Sequence, residues 1–391
     1  MHFSDFKLHP ALLQSITEEK YDKPTPIQEK AFPPILSGKD VLACAQTGTG
    51  KTAAFAIPIL HLLSKSLNSR NSEYFHRIKA LVLAPTRELA IQIGESFQRY
   101  GRHLELSTGV VYGGVTPKRH IKVLKREPDL LIATPGRLLD LIGQGYVDLS
   151  EVKIMVLDEA DRMLDLGMIH DVKSILNRLP KERQTLLFSA TIPNEIAALT
   201  KTLLKNPVKI QDQSKSHAKK EIAQQVYYVE APDKSKLLMQ ILKEEKYESV
   251  LVFVKTKTKA DQICKTLNIN NIRSKAIHGD KNQSERLKAL ELFKNKEIRV
   301  LVATDVAARG LDIHRLSLVI NMDIPSVPEN YTHRIGRTGR AQSIGKAISF
   351  CSSQEMDSLK TIEAHQGVSI KVVHGHPFEP LRFVLERNRK R

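Results

Sequence analysis

Ten short runs rich in Val, Ile and Leu, each apolar on both faces, decide what this chain can fold into. In the first half they are 41–45 (VLACA), 80–84, 130–134, 153–158 and 185–191; in the second, 249–256, 275–280, 299–305, 316–323 and 346–351. A strand that is apolar on both faces must be covered on both, which is the condition of a central strand in a parallel sheet. Parallel neighbours need a long crossover, and patterns such as 85–101 (PTRELAIQIGESFQRYG) are long enough to supply one as a helix.

Between the two sets the hydrophobic pattern lapses over 211–224 (QDQSKSHAKKEIAQ). The sequence therefore predicts an α/β fold with two tandem domains of similar build, each a mostly parallel sheet flanked by helices. Their expected bounds are 1–210 and 225–370, with a linker at 211–224 and a short basic C-terminal extension at 371–391. A length of 391 residues agrees with two cores rather than one.

Charge narrows the class of partner. Lys and Arg number 60 against 43 Asp and Glu, a net charge of +17, of which +11 falls after residue 210. That excess favours a polyanion, although a merely soluble basic protein has the same signature. Cys44, Cys264 and Cys351 lie far apart with no C-x-x-C pair, which argues against a disulfide framework and a zinc site. No basic leader with a long apolar stretch opens the chain and no run approaches a membrane span, so a cytoplasmic protein without a membrane partner is expected.

The first apolar run leads into AQTGTGKT, which is Ala45, Gln46, Thr47, Gly48, Thr49, Gly50, Lys51 and Thr52, and the helical pattern AAFAIPILHLL follows. Strand, glycine-rich loop and helix in that order make a phosphate cradle. Gly48 and Gly50 let backbone amides close round the phosphates, and the helix N-terminus adds its free N–H groups and positive dipole end. Lys51 is expected to pair with the β- and γ-phosphates, and Thr52 to hold Mg2+ through its hydroxyl.

The run IMVLDEAD ends in three carboxylates, Asp158, Glu159 and Asp161. Taken alone they would read as the acid-rich start of a helix. Downstream of a phosphate loop, a strand-end Asp158 is expected to bind the magnesium that bridges the phosphates, and Glu159 to act as general base on the attacking water. Hydrolysis also needs positive charge on the transferring phosphoryl group. HRIGRTGR (333–340) offers Arg337 and Arg340 as candidate arginine fingers, on one side of a helical turn if that stretch stays helical past Gly336 and Gly339.

Eleven motifs then occur in order: YDKPTPIQ (21–28), AQTGTGKT, PTRELA (85–90), GG (113–114), TPGR (134–137), DEAD (158–161), SAT (189–191), VFVKT (252–256), QSER (283–286), ATDVAARGLD (303–312) and HRIGRTGR. By these the chain resembles the DEAD-box family of ATP-dependent RNA helicases over nearly its whole length, with the bacterial RhlE-like branch as the nearest resemblance.

The resemblance implies two RecA-like domains that close around ATP and single-stranded RNA. It implies that Gln28 reads the adenine edge and Tyr21 stacks on the ring, and that Asp312 binds the ribose. Lys20 stands where the family often has glycine, which bears on the turn before Tyr21. The resemblance further implies RNA-backbone contacts from Arg87, Gly114, Thr134 and Arg137 in the first domain and from Gln283, Arg286, Thr304 and Arg309 in the second. Such contacts position a strand without reading its sequence. Asp161, Ser189 and Thr191 are the family's coupling residues, and His333 supports the site.

The activity so implied is RNA-stimulated ATP hydrolysis coupled to local, non-processive separation of short RNA duplexes. An ATP-dependent RNA clamp or assembly factor with incidental unwinding fits the same motifs. A DNA helicase of related build fits less well, because PTPIQ and a strict DEAD occur together. The sequence names neither the RNA substrate nor a protein partner.

Overall fold

The computed structural model describes every residue except 46–47, 68–77, 212–221, 245–246, 309–312, 314–315, 340–344, 382 and 384–391. It divides into two units, Met1–Gln213 and Ser214–Arg391.

The strands of the first unit are β1 (Val41–Cys44), β2 (Ala80–Leu83), β3 (Thr108–Val111), β4 (Leu130–Ala133), β5 (Ile154–Asp158), β6 (Gln184–Ser189) and β7 (Val208–Gln211). Its helices are α1 (Pro10–Glu18), α2 (Pro26–Leu36), α3 (Lys51–Leu67), α4 (Arg87–Tyr100), α5 (Pro117–Leu124), α6 (Pro135–Gly143), α7 (Ala160–Asp165), α8 (Ile169–Leu176) and α9 (Asn194–Leu203). The seven strands form one sheet in the order β3-β4-β2-β5-β6-β1-β7, and every pairing is parallel.

The second unit contains β8 (Ile222–Tyr228), β9 (Val250–Phe253), β10 (Ser274–Ile277), β11 (Val300–Ala303), β12 (Leu318–Asn321), β13 (Gly345–Cys351) and β14 (Lys371–Val372). Its helices are α10 (Lys234–Glu244), α11 (Lys257–Ile269), α12 (Gln283–Lys294), α13 (Asp305–Ala308), α14 (Pro328–Ile335) and α15 (Met356–Gln366). The order β10-β11-β9-β12-β13-β8-β14, again all parallel, repeats the first sheet strand for strand. In that correspondence β14 takes the place of β7, so the second sheet extends past residue 370, where the sequence pattern ends the domain.

The doubly apolar runs explain the two-faced cores. Ala80 and Val82 of β2 join one cluster with Val156 and Phe55, while Leu81 and Leu83 join the opposite one with Met155 and Leu157. In the second unit Val250 and Val252 face one core and Leu251 and Phe253 the other. This is the two-residue period of a strand covered on both sides. The cysteines are free, and no helix among the described residues is long and apolar enough to cross a membrane.

Packing of α4 on β3 depends on a missing side chain. A Cβ at Gly94 would stand 2.5 Å from Cγ2 of Val110, too close for a β-branched neighbour to yield cheaply. Gly94→Ala is expected to destabilise the protein by about 1–3 kcal/mol, as overpacked cores do. Adding Val110→Ala should raise the urea midpoint above that of Gly94→Ala alone; a further fall would show that this contact is not the limiting one.

Candidate functional site

Parallel pairing puts the C-terminal ends of all strands along one edge of each sheet, where open α/β sheets bind ligands. In the first unit the phosphate loop follows β1, PTRELA follows β2, GG follows β3, TPGR follows β4, DEAD closes β5 and SAT closes β6. Six motifs far apart in sequence therefore meet at one edge.

Around the phosphate loop, Gly48 and Gly50 take φ values of 77° and 94°, as its tight curvature requires. Gly50 is required for a second reason, because a Cβ there would lie 2.6 Å from Nε2 of Gln28 and 2.9 Å from Oγ1 of Thr25. Gln28 is buried on α2, donates from Nε2 to the Gly50 carbonyl at 3.2 Å, and accepts at Oε1 from the Thr25 N–H at 2.9 Å. Each end of the amide retains one further donor or acceptor site, enough for the edge of a base. Tyr21 is exposed and its hydroxyl lies 3.3 Å from that of Tyr100. Lys20 before it adopts φ 59°, the left-handed conformation for which glycine is better suited, so the turn persists with a lysine in it.

Lys51 opens α3 and is buried, yet its Nζ has no hydrogen-bond partner among the described residues. Its charge acts on Asp158: burial pushes the Asp158 carboxyl up to about 7, and Lys51 pulls the other way. Thr52 is the next residue of α3. Ala45 donates its N–H to the Ser189 carbonyl at 3.0 Å, which ties the start of the loop to the end of β6. Gln46 and Thr47 lie outside the described residues.

Glu159 caps α7 in the left-handed region, φ 53° and ψ 53°, an uncommon backbone state for a residue with a Cβ. Its Oε2 accepts from Nη1 of Arg162 at 2.8 Å, and both partners are buried. Sequence reasoning missed Arg162, although its spacing three residues after Glu159 on a helix was a usable signal. Asp161 gathers the SAT segment. Its Oδ2 accepts from the N–H groups of Ala190 (3.2 Å) and Thr191 (2.8 Å) and from the Thr191 hydroxyl (2.9 Å), while Oδ1 accepts from the Arg162 N–H. Asp161 N–H donates to Ser189 Oγ, which donates to the Thr191 carbonyl.

The four candidate RNA contacts of this unit lie along the same edge. The Arg87 guanidinium lies against Gly113 and Gly114, and a Cβ on Gly114, at φ 78°, would overlap it. Arg137 donates from Nη2 to the Val115 carbonyl at 3.1 Å, and its Nη1 lies 3.3 Å from Nδ1 of His120 on α5. Burial, and then the Arg137 charge, lower the His120 pKa to about 4, so the imidazole is neutral at physiological pH. Thr134 caps α6 ahead of Pro135, but its hydroxyl makes no capping bond.

In the second unit Gln283 and Arg286 lie in the first turn of α12, and Thr304 precedes α13. Helix α14 ends at Ile335 with Gly336 as its cap, so Arg337 sits in a buried turn and not on a continuing helix, because Gly336 and Gly339 (φ 71°) stop it. His333 is in the last turn of α14. Arg309, Asp312 and Arg340 lie outside the described residues. The residue missed here is Arg334. Its buried guanidinium grips both oxygens of Asp305 at 2.6 and 2.7 Å and donates to Asn321 Oδ1 and the Asp323 carbonyl, which fixes ATD against HRIGR.

The chain matches the DEAD/DEAH box helicase family over residues 25–199 and the helicase conserved C-terminal domain over 233–342. It is 43% identical over 365 residues to the ATP-dependent RNA helicase CshA of Limosilactobacillus reuteri, covering 93% of this chain and 71% of that protein. It is also 43% identical over 357 residues to the DEAD-box ATP-dependent RNA helicase RhpA of Helicobacter pylori, covering 91% and 71%. Among solved structures, S. cerevisiae Dbp5 bound to RNA and ADP BeF3 has a TM-score of 0.82 at 31% identity, covering all of this chain and 99% of that one.

The Asp161 hub sets a test that needs no ligand. In Asp161→Asn one carboxylate oxygen becomes an NH2 group, so in either orientation a buried N–H faces another donor. A loss of about 1–3 kcal/mol is expected. Hydrogen exchange should show it as faster opening at Ala190 and Thr191 before other strand ends; unchanged exchange there would mean that the SAT segment is held by other bonds.

Proposed function

The chain belongs to the DEAD-box ATP-dependent RNA helicases, and from that premise we propose that it couples RNA-stimulated ATP hydrolysis to local separation of short RNA duplexes through the residues at the two sheet edges. It is an ATP-dependent RNA helicase; the assignment of steps to side chains is the proposal. One observation carries that assignment: a buried Lys51 ammonium without a hydrogen-bond partner among the described residues, set beside a buried Asp158 carboxyl and at the mouth of a glycine-rich loop. An unsatisfied buried cation there calls for an anion, and a triphosphate supplies one.

Lys51 neutralises the β- and γ-phosphates, and the α3 N-terminus adds its free N–H groups. The donor set fits Mg2+: Thr52 and Asp158 would hold it, with the remaining positions left to phosphate and water, and when bound it supplies charge neutralisation to the phosphate oxygens. Glu159 takes the proton of the attacking water. Arg162, paired with it at 2.8 Å, orients that carboxylate. Gln28 reads the adenine while holding Gly50, so base recognition and loop geometry share one amide. Arg337 is the described candidate for the charge on the transferring phosphoryl group, with Arg340 and the ribose contact Asp312 proposed from sequence alone.

Arg87, Gly114, Thr134, Arg137, Gln283, Arg286, Thr304 and Arg309 are proposed to hold RNA phosphates and sugars, and Asp161, Ser189, Thr191 and His333 to couple them to hydrolysis. Placement in the cytoplasm and in the RhlE-like branch belongs to the same proposal; the relatives above carry the names CshA and RhpA.

Steady-state ATP hydrolysis with magnesium should rise strongly with single-stranded RNA and little with matched DNA, and equal stimulation by both would overturn the RNA assignment. Glu159→Gln is expected to keep ATP and RNA binding while turnover falls by about 100-fold or more, the range for a lost general base. Normal turnover in that variant would transfer the role to another group. Gln28→Ala should narrow the preference for ATP over GTP, read as the ratio of the two kcat/KM values.

A further inference from the structure

Helix α5 carries Lys118, Arg119 and Lys122, and Lys125 and Arg126 follow directly; all five are exposed, and no acid lies between residues 117 and 126. None of the five makes an ion pair among the described residues, unlike the arginines of α4 and its loop, where Arg99 and Arg102 meet Glu18 and Glu19. The helix is otherwise ordinary: His120 and Leu124, four apart, face the core, which turns the cations outward. Positions 118, 122 and 125, and 119, 122 and 126, recur at helical spacing and form one continuous stripe.

A solvated basic face would explain the charge alone, but it would not explain where the helix is fastened. α5 begins just after Gly113 and Gly114, on which Arg87 lies, and His120 packs beside Arg137, whose other nitrogen holds the Val115 carbonyl. Its N-terminal end is thus built into the cluster that carries Arg87, Gly114 and Arg137, and its stripe leads away from that cluster. From Lys118 to Arg126 the stripe runs about 12 Å at the rise of a helix, enough to meet about two or three successive phosphates of one strand.

We propose that the α5 stripe is a second RNA-phosphate contact that takes up the strand continuing beyond the motif residues and so lengthens the RNA footprint of the first unit. The proposal rests on the helicase reading for the position of the RNA and goes beyond it in assigning a site to residues outside every motif. Each contact is an ion pair with phosphate, so the stripe adds affinity without sequence preference.

The test replaces Lys118, Lys122, Lys125 and Arg126 with Gln, which forms helix about as well as Lys or Arg. A control variant replaces the exposed lysines Lys173, Lys181, Lys201 and Lys209 of the same unit with Gln, removing equal charge elsewhere. Binding is read by fluorescence anisotropy with single strands of about 8 and about 25 nucleotides and with a duplex bearing a short overhang, across a salt series. For the α5 variant the longer probes should bind about 10-fold or more weakly than to the unaltered protein, with a log–log salt slope shallower by about 2–3. The short strand should change by less than about threefold, and kcat at saturating RNA should stay the same.

Whichever long probe shows the loss identifies the strand that α5 holds. No loss on either long probe, or the same loss in the control, would return the stripe to a solvated face. An equal loss on short and long probes would place its effect on the motif cluster and overturn the extended footprint. Binding and hydrolysis are measured separately: long-RNA binding through α5 without stimulated ATPase would sink the helicase reading and leave this one standing.

Discussion

Everything functional in this molecule depends on the parallel hydrogen-bond ladder. When all strands of a sheet run the same way, every strand ends on the same edge, and the loops that follow them are brought together regardless of their separation in sequence. Asp158 pairs in register with Phe188, and Cys44 with Ser189, so the phosphate loop, DEAD and SAT leave neighbouring strands at the same level. No side-chain interaction could gather six segments so economically. The side chains then have only short distances left to cover, as Asp161 does in holding Ala190 and Thr191.

The same ladder explains what could be read from the sequence. Central strands such as β2 and β5 are buried on both faces and write themselves as unbroken apolar runs. Edge strands do not: β3 alternates between half-buried and buried residues, β7 buries one residue in four, and β14 is two residues long. The apolar pattern passed over these three because an edge has solvent on one side and needs no doubly apolar run; it also passed over β8, an interior strand of mostly half-buried residues, and it caught β10 although that strand lies at an edge. The motif residues were legible because their chemistry demands particular types at particular spacings. Arg162 and Arg334 were harder to read, because each serves by holding another residue: the three-residue spacing from Glu159 signals a partner for Arg162, whereas Arg334 and Asp305 lie 29 residues apart and no local spacing marks them.

Each unit thus has a buried polar knot close to its candidate ligand contacts. In the first, Asp161 satisfies four donors, three of them from residues 190 and 191. In the second, Arg334 satisfies Asp305, Asn321 and the Asp323 carbonyl while its guanidinium stands 5.0 Å over the Phe253 ring. Knots of this kind are costly to break and rigid when complete. Rigidity here has a function, since a residue that must meet a phosphate within a few tenths of an ångström cannot sit on a loose support. The two units share a strand order, yet the loop after β8 (Val229–Asp233) contains no glycine, so the glycine-rich loop after β1 has no counterpart at the matching strand of the second sheet.

The cradle itself is the least comfortable part of the molecule. Lys51 is buried with no hydrogen-bond partner among the described residues, Glu159 holds a left-handed backbone, and burial lifts the Asp158 carboxyl from its ordinary 3.8 to about 7. Taken by itself, a carboxyl raised on folding costs the folded state stability as pH rises from about 4 towards 7, the reverse of a salt-bridged aspartate, while His120, lowered to about 4, contributes the opposite slope. On the proposed assignment, a ligand that brings phosphate to Lys51 and a divalent cation to Asp158 would remove both penalties at once, since whatever binds the folded state alone stabilises it. The strain at this edge is therefore not a flaw in the packing. On the proposed assignment it is free energy held where nucleotide binding recovers it.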